Sequence, residues 1–169
     1  MKADLHFRFL ADVQAHTLTI TRSFAADRAT VWACYTTSEL LDRWFAPAPM
    51  TTKTKHMEFR EGGYWHYAMV APDGTEYWGR IDYCEIDPID RYTARDAFSD
   101  ASGRPNTDMP IADWVVSFAD KGDQTLVRII VTYASAAELQ TVIDMGMEAG
   151  MTATFDKLDS LIATLARKG

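Results

Sequence analysis

Apolar and polar positions alternate along most of the chain, and the places where the alternation breaks are where helices are expected. From His16 to Phe24, Leu18, Ile20 and Phe24 fall between Thr17, Thr19, Thr21 and Ser23, the period of a half-buried strand. Arg22 sits in the inward phase of that strand, so it either snorkels at the strand end or faces a partner. Asp27 then reads as a helix N-cap, with Val31, Trp32 and Tyr35 on one helical face. Ser38 opens a second short helix that crowds Leu40, Leu41, Trp44 and Phe45 to one side and stops at Pro47 and Pro49.

A long β region follows. Met57 and Phe59 alternate with His56, Glu58 and Arg60, and Gly62-Gly63 marks a turn. Trp65, Tyr67 and Met69 share one phase, and Pro72-Asp73-Gly74 is a hairpin signal. Tyr77, Ile81 and Tyr83 come next, then Tyr92, Ala94 and Phe98 after a turn at Pro88 and Asp90. Residues 99–110 form a loop, Trp114, Val116 and Phe118 alternate again, and after Gly122-Asp123 the run Val127, Ile129, Val131, Tyr133 gives the clearest strand. Strands joined in sequence by short turns predict an antiparallel meander. Ala136 to Met145 reads as a short helix or a lead-in turn. From Met147 onward, Met151, Phe155, Leu158, Ile162 and Leu165 recur at steps of three and four, with Arg167 and Lys168 where the helix dipole favours cations. Such a helix, about 32 Å long, reaches across a whole sheet. The expectation is one α+β domain over residues 1–169, a curved antiparallel sheet wrapped around the C-terminal helix. In residues 1–15, Leu5, Phe7 and Phe9 alternate with His6 and Arg8, which suggests an extra strand that closes the sheet edge or pairs across a homodimer.

The 169 residues carry 17 Lys and Arg against 24 Asp and Glu, a formal charge of −7, which speaks against a nucleic-acid partner. No segment approaches the roughly 18 apolar residues of a membrane span, and no signal-peptide pattern follows Met1, so a cytoplasmic address is expected. Cys34 and Cys84 lack CxxC spacing and read as buried free thiols. His6, His16, His56 and His66 are scattered, with His56 and His66 in the outward phase, and no metal signature occurs. No metal and no cofactor are expected.

The ordered set of segments is similar to the activator of heat-shock-protein-90 ATPase homologue family, within the START-like (SRPBCC, helix-grip) superfamily, over roughly residues 17–166. The matching pieces are Ile20-Thr21-Arg22-Ser23-Phe24-Ala25-Ala26 with Val31-Trp32, Leu41 to Trp44-Phe45-Ala46-Pro47, and Phe59-Arg60-Glu61-Gly62-Gly63-Tyr64-Trp65. Met69 to Pro72-Asp73-Gly74, Gly79-Arg80-Ile81 to Asp87-Pro88, Asp96-Ala97-Phe98-Ser99-Asp100 with Gly103-Arg104-Pro105, and Leu158 with Leu161 complete the set. The family often carries Gly-Trp early in the last helix. Gly150-Met151 stands here, which implies a reshaped ligand space.

The resemblance implies a helix-grip fold with a cavity between sheet and last helix. The residues expected on its wall are Trp44, Met57, Phe59, Trp65, Tyr67, Met69, Tyr77, Asp96, Phe98, Trp114, Met147, Met151 and Phe155. Arg22 is a candidate polar anchor, and Arg22 and Asp96 either pair with each other or face the ligand. Three functions remain open. The first is binding of a small hydrophobic or aromatic ligand, without catalytic residues. The second is a polyketide cyclase or hydrolase-like enzyme using Arg22, Tyr67 and Asp96. The third is a co-chaperone or stress-response module with a chaperone partner.

Overall fold

A computed structural model describes residues 6–168; Leu5 and the side chains of Arg167 and Lys168 lie outside the described residues. The chain begins with a hairpin, β1 (Phe7–Asp12) and β2 (Thr17–Phe24), paired from Phe7↔Arg22 to Asp12↔Thr17. Two short helices follow, α1 (Arg28–Thr36) and α2 (Ser38–Trp44). Asp27 caps α1 as its residue type predicts, its Oδ1 accepting from Thr30 N at 2.8 Å. Trp44 locks the two helices together. Its Nε1 donates to Cys34 O at 2.9 Å and its ring packs edge-on against Tyr35 and Phe45.

Six strands then run as a meander: β3 (Thr51–Met57), β4 (Tyr64–Val70), β5 (Glu76–Asp87), β6 (Arg91–Phe98), β7 (Ala112–Lys121) and β8 (Gln124–Thr132). The chain ends in α3 (Ala136–Asp144) and α4 (Met147–Lys168). The sheet has eight antiparallel strands in the order β1-β2-β8-β7-β6-β5-β4-β3. Because β2 pairs with the last strand, α1 and α2 must carry the chain across the sheet to its far edge, where β3 starts. Bulges at Thr54/His56 and Tyr83/Ile86 add bend to β3 and β5. The concave face closes over α4, which buries Phe155, Leu158, Leu161 and Ile162 against Leu18, Ile20, Ile129 and Val131 in one core. Burial along β8 alternates as the sequence pattern demands, with Val127, Ile129 and Val131 inside and Arg128 outside. The fold is the α+β helix-grip arrangement.

The structure corrects several sequence expectations. The strand inferred around Met57 and Phe59 starts at Thr51 and ends at Met57, leaving Phe59 in the following turn. Thr51 to Lys55 is a sheet-edge segment without apolar residues, so no hydrophobic alternation marks it. His66 is 3 % exposed, not outward in solvent. The outer face of the sheet is covered there: His66 lies against Trp78, and its Nε2 is 3.0 Å from Asp100 O in the loop after β6.

Cys34 is buried as expected, but Cys84 is exposed, because it falls in the outward phase of β5. Burial pushes the Cys34 thiol up to about 11. Iodoacetamide labelling of the native protein followed by peptide mapping is therefore expected to modify Cys84 and spare Cys34 until denaturant is added. Equal labelling of both in the folded state would contradict the packing of α1.

Candidate functional site

The cavity owes its existence to small residues on the concave face. Gly79, Ala94 and Ala112 lie on the neighbouring strands β5, β6 and β7, and all three line it. Across the strand pair from Gly79 stands Tyr67, and a Cβ at position 79 would sit 2.7 Å from the Tyr67 hydroxyl. The missing side chain thus lets the phenol lie over the backbone. The resulting space has a volume of about 390 Å³ between the sheet, the α2–β3 connection and the α3–α4 junction. Tyr77, Phe98 and Met145 line it and are also exposed, so they mark its mouth. Lys157 of α4 ties down one wall by donating to Ala46 O at 2.9 Å and Met50 O at 3.0 Å; burial draws its pKa down.

The structure brings Trp44, Tyr67, Met69, Tyr77, Asp96, Phe98, Trp114, Met147, Met151 and Phe155 to this wall. Met57, Phe59 and Trp65 lie outside it. Phe59 packs edge-on against Trp32, Tyr83 and Tyr92, beyond the cavity floor. Met57 packs against the core from the end of β3. Trp65 is 1 % exposed and stacks at 4.1 Å on Tyr67, with its Nε1 donating to Thr54 Oγ1, which in turn donates to Asp42. It supports the wall from behind. Sequence reading did not assign Tyr35, Tyr92 and Tyr133, which also line the cavity. Strand parity carried a signal for two of them, since Tyr92 shares the phase of Asp96 and Tyr133 that of Val131. Nothing in the sequence pointed Tyr35 of α1 at the cavity rather than at the core.

Arg22 neither pairs with Asp96 nor reaches the cavity wall. Its Nη2 donates to Asp159 Oδ2 at 2.5 Å and its Nη1 to Ser23 O at 2.6 Å, while the guanidinium lies over the rings of Phe24 and Phe155. This ion pair clamps α4 to β2. Asp159→Ala leaves a buried guanidinium with the Ser23 carbonyl and, at 4.0 Å, the exposed Asp156, and is expected to cost about 1–3 kcal/mol in urea unfolding. Arg22→Met, which keeps the stem and removes the charge, is expected to cost less. Equal stability of Asp159→Ala and the parent would show that the clamp holds nothing.

With Arg22 engaged elsewhere, Asp96 faces the cavity alone. It is half-buried, and no hydrogen bond or ion pair to it is found among the described residues. Removal from water, with nothing to stabilise the charge, pushes its carboxyl up to about 7. Its charge in turn adds to the burial that raises the phenols of Tyr67 and Tyr133. Two further polar atoms are buried without a partner at this wall, the Tyr35 hydroxyl and the Trp114 indole N–H. Unsatisfied groups of this kind in an otherwise apolar hollow are what a ligand with a polar end would satisfy. Among the described residues, no group of three or more His, Cys, Asp and Glu side chains is placed to hold a metal ion, and no helix is long and apolar enough to cross a membrane.

A bent antiparallel sheet gripping a C-terminal helix around an apolar cavity defines a helix-grip protein of the START-like class. Residues 25–163 match the family described as Activator of Hsp90 ATPase homolog 1-like protein, and the chain belongs to that family. No curated protein matches it. Among solved structures, it is similar to a protein from Arthrobacter aurescens, with 29% identity over 93% of this chain and 91% of that one and a TM-score of 0.87. A second is protein Ms6760 from Mycobacterium smegmatis, with 28% identity over 96% and 99% of the two chains and a TM-score of 0.86. CalU16 from Micromonospora echinospora shares the fold, with 18% identity over 98% and 90% and a TM-score of 0.61.

Proposed function

We propose that this protein binds a small hydrophobic or aromatic molecule bearing one polar end, in the cavity between the sheet and α4. The observation that carries the reading is the cavity itself: about 390 Å³, walled by aromatic and Met side chains, open at Tyr77, Phe98 and Met145, and holding unpartnered polar atoms. Rigid rings supply shape and Met147 and Met151 supply adaptable surface. The reading places the protein in the cytoplasm, which keeps Cys34 and Cys84 reduced. The test is thermal shift against a library of lipids and aromatic amphiphiles, with native mass spectrometry to detect retained ligand. Met151→Trp, which fills the cavity with an indole, is expected to abolish the shifts while the protein stays folded. Absence of any shift or retained mass from the parent protein would end the reading.

A second reading, catalysis of the cyclase or hydrolase kind, is favoured by one observation. Asp96 carries a carboxyl near neutrality beside Tyr67 in a cavity open to solvent, the condition for a general acid or base. It now lacks Arg22 from its candidate set. Turnover of a library of aryl esters and poly-β-ketone mimics, lost in Asp96→Asn, would move the assignment to an enzyme. Exposure of Phe7 and Leu10 on β1 and of Val13 in the turn after it favours a homodimer formed across the β1 edge. Sizing chromatography with a β1 charge variant, Leu10→Lys, reads the dimer.

A further inference from the structure

The geometry points to a cationic amphiphile as the cavity's ligand: an apolar, ring-sized body ending in a protonated amine that pairs with the Asp96 carboxylate. The inference rests on the reading of the cavity as a ligand site and names the class of molecule it takes.

Charge on the cavity wall selects the ligand class. Among the described residues lining the cavity, Asp96 is the only one that carries a formal charge; no Lys, Arg or His is on the wall. Four basic side chains of the surrounding elements are engaged away from the cavity. Arg22 binds Asp159, Arg80 binds Asp82, Arg95 binds Asp113, and Lys157 is held by the carbonyls of Ala46 and Met50. A fatty acid or a phosphate ester entering head first would meet a carboxylate and no cation to offset it. A neutral alcohol or ketone would find hydrogen-bonding groups but leave Asp96 without a counter-charge.

An ammonium does what neither can. It supplies the donors that the Asp96 carboxylate lacks in the protein, and its charge is welcomed by the faces of neighbouring rings. Trp114 stands on the adjacent strand β7, Tyr67 on β4 one strand beyond β5, and Tyr133 follows β8; these rings line the same cavity. The desolvation that raises the free carboxyl to about 7 is offset when a cation arrives, so amine binding favours the ionised form. The other titratable groups on the wall are phenols: Tyr35 of α1, Tyr67 of β4, Tyr77 of β5, Tyr92 of β6 and Tyr133 after β8, while α3 and α4 contribute none. Asp96 is therefore the group through which pH acts on the wall between pH 6 and 8.

The test uses three probes with one skeleton: 4-phenylbutylamine, 4-phenylbutan-1-ol and 4-phenylbutanoate, titrated calorimetrically into the full-length protein at pH 6 and pH 8. At pH 8 the amine is expected to bind about 10-fold tighter than the alcohol, with the acid weakest, and the amine-to-alcohol ratio is expected to fall at pH 6. In Asp96→Asn, checked for folding by circular dichroism, that ratio is expected to fall to about one, within a factor of three, at both pH values. An alcohol or acid that binds as tightly as the amine to the parent protein overturns the inference and leaves the cavity reading standing. A preference for the amine that survives Asp96→Asn overturns it as well. Failure of all three probes, together with the amphiphile library, overturns both.

Discussion

Asp96→Asn is expected to stabilise the ligand-free protein at pH 8 and to change little at pH 4. Folding moves the Asp96 carboxyl from an ordinary value of 3.8 to about 7 through burial, with no partner to offset it. The folded state therefore holds the proton more tightly than the unfolded chain. Its favourable contribution is complete below about pH 4 and is lost as pH rises through 7. At about 1.4 kcal/mol for each pKa unit, and allowing for the polar amide that Asn still buries, the gain at pH 8 is about 2–4 kcal/mol. For a chain of this length that is a rise in Tm of roughly 5–15 °C.

Other carboxylates act in the opposite sense. Glu58, Asp73 and Asp100 are held below their usual values by hydrogen bonds and favour the folded state as pH rises. The quantity to measure is therefore the difference between variant and parent across the pH range, in which those groups cancel. A flat difference from pH 4 to pH 8 would mean that Asp96 is fully hydrated. The charge argument for an amine ligand would then lose its support.

A stability gain on removing a charged side chain is the mark of a residue kept for something other than folding. Sequence parity was enough to place Asp96 on the concave face, two residues from Ala94 and in phase with Tyr92. It could not reveal that Asp96 would be left alone. That depends on Arg22 finding Asp159, 137 residues away on α4, and contacts so distant leave no trace in local periodicity. The strand phases of β7 and β8 and the face of α4 were legible because one side of each is buried and the other wet. Thr51 to Lys55 was not, being a sheet-edge segment with no apolar residue in it. His66 misled for a related reason. Parity gives the side of the sheet, and whether a loop such as that from Ser99 to Pro105 covers that side is a separate fact of tertiary structure. The placement of Trp44 and Met151 on the wall follows from local pattern. The dimensions of the cavity follow from Gly79, Ala94 and Ala112, whose smallness carries no signal until the strands are in register.

The opposite outcome is expected at Phe155. Its ring is 1 % exposed and meets Phe24 edge-on at 5.5 Å and Phe7 edge-on at 6.0 Å. The Arg22 guanidinium stands 5.8 Å above it, so one side chain of α4 holds β1, β2 and the ion-pair clamp in place. Phe155→Ala is expected to cost about 3–5 kcal/mol, through lost transfer energy and the void left behind. By the same scaling as above, Tm should fall by roughly 6–20 °C. The void differs from one sealed in a core, because Phe155 also lines the cavity and the new space joins it. A ligand can therefore enter the space the ring vacates and recover part of the loss, about 2.7 kcal/mol at a concentration one hundred times its dissociation constant. Met151→Ala, at a half-buried position on the same wall, should cost less than half as much and serves as the comparison. If Phe155→Ala unfolds within 1 kcal/mol of the parent in urea, α4 is not docked on the sheet by this contact, and the account of how the cavity is closed must be abandoned.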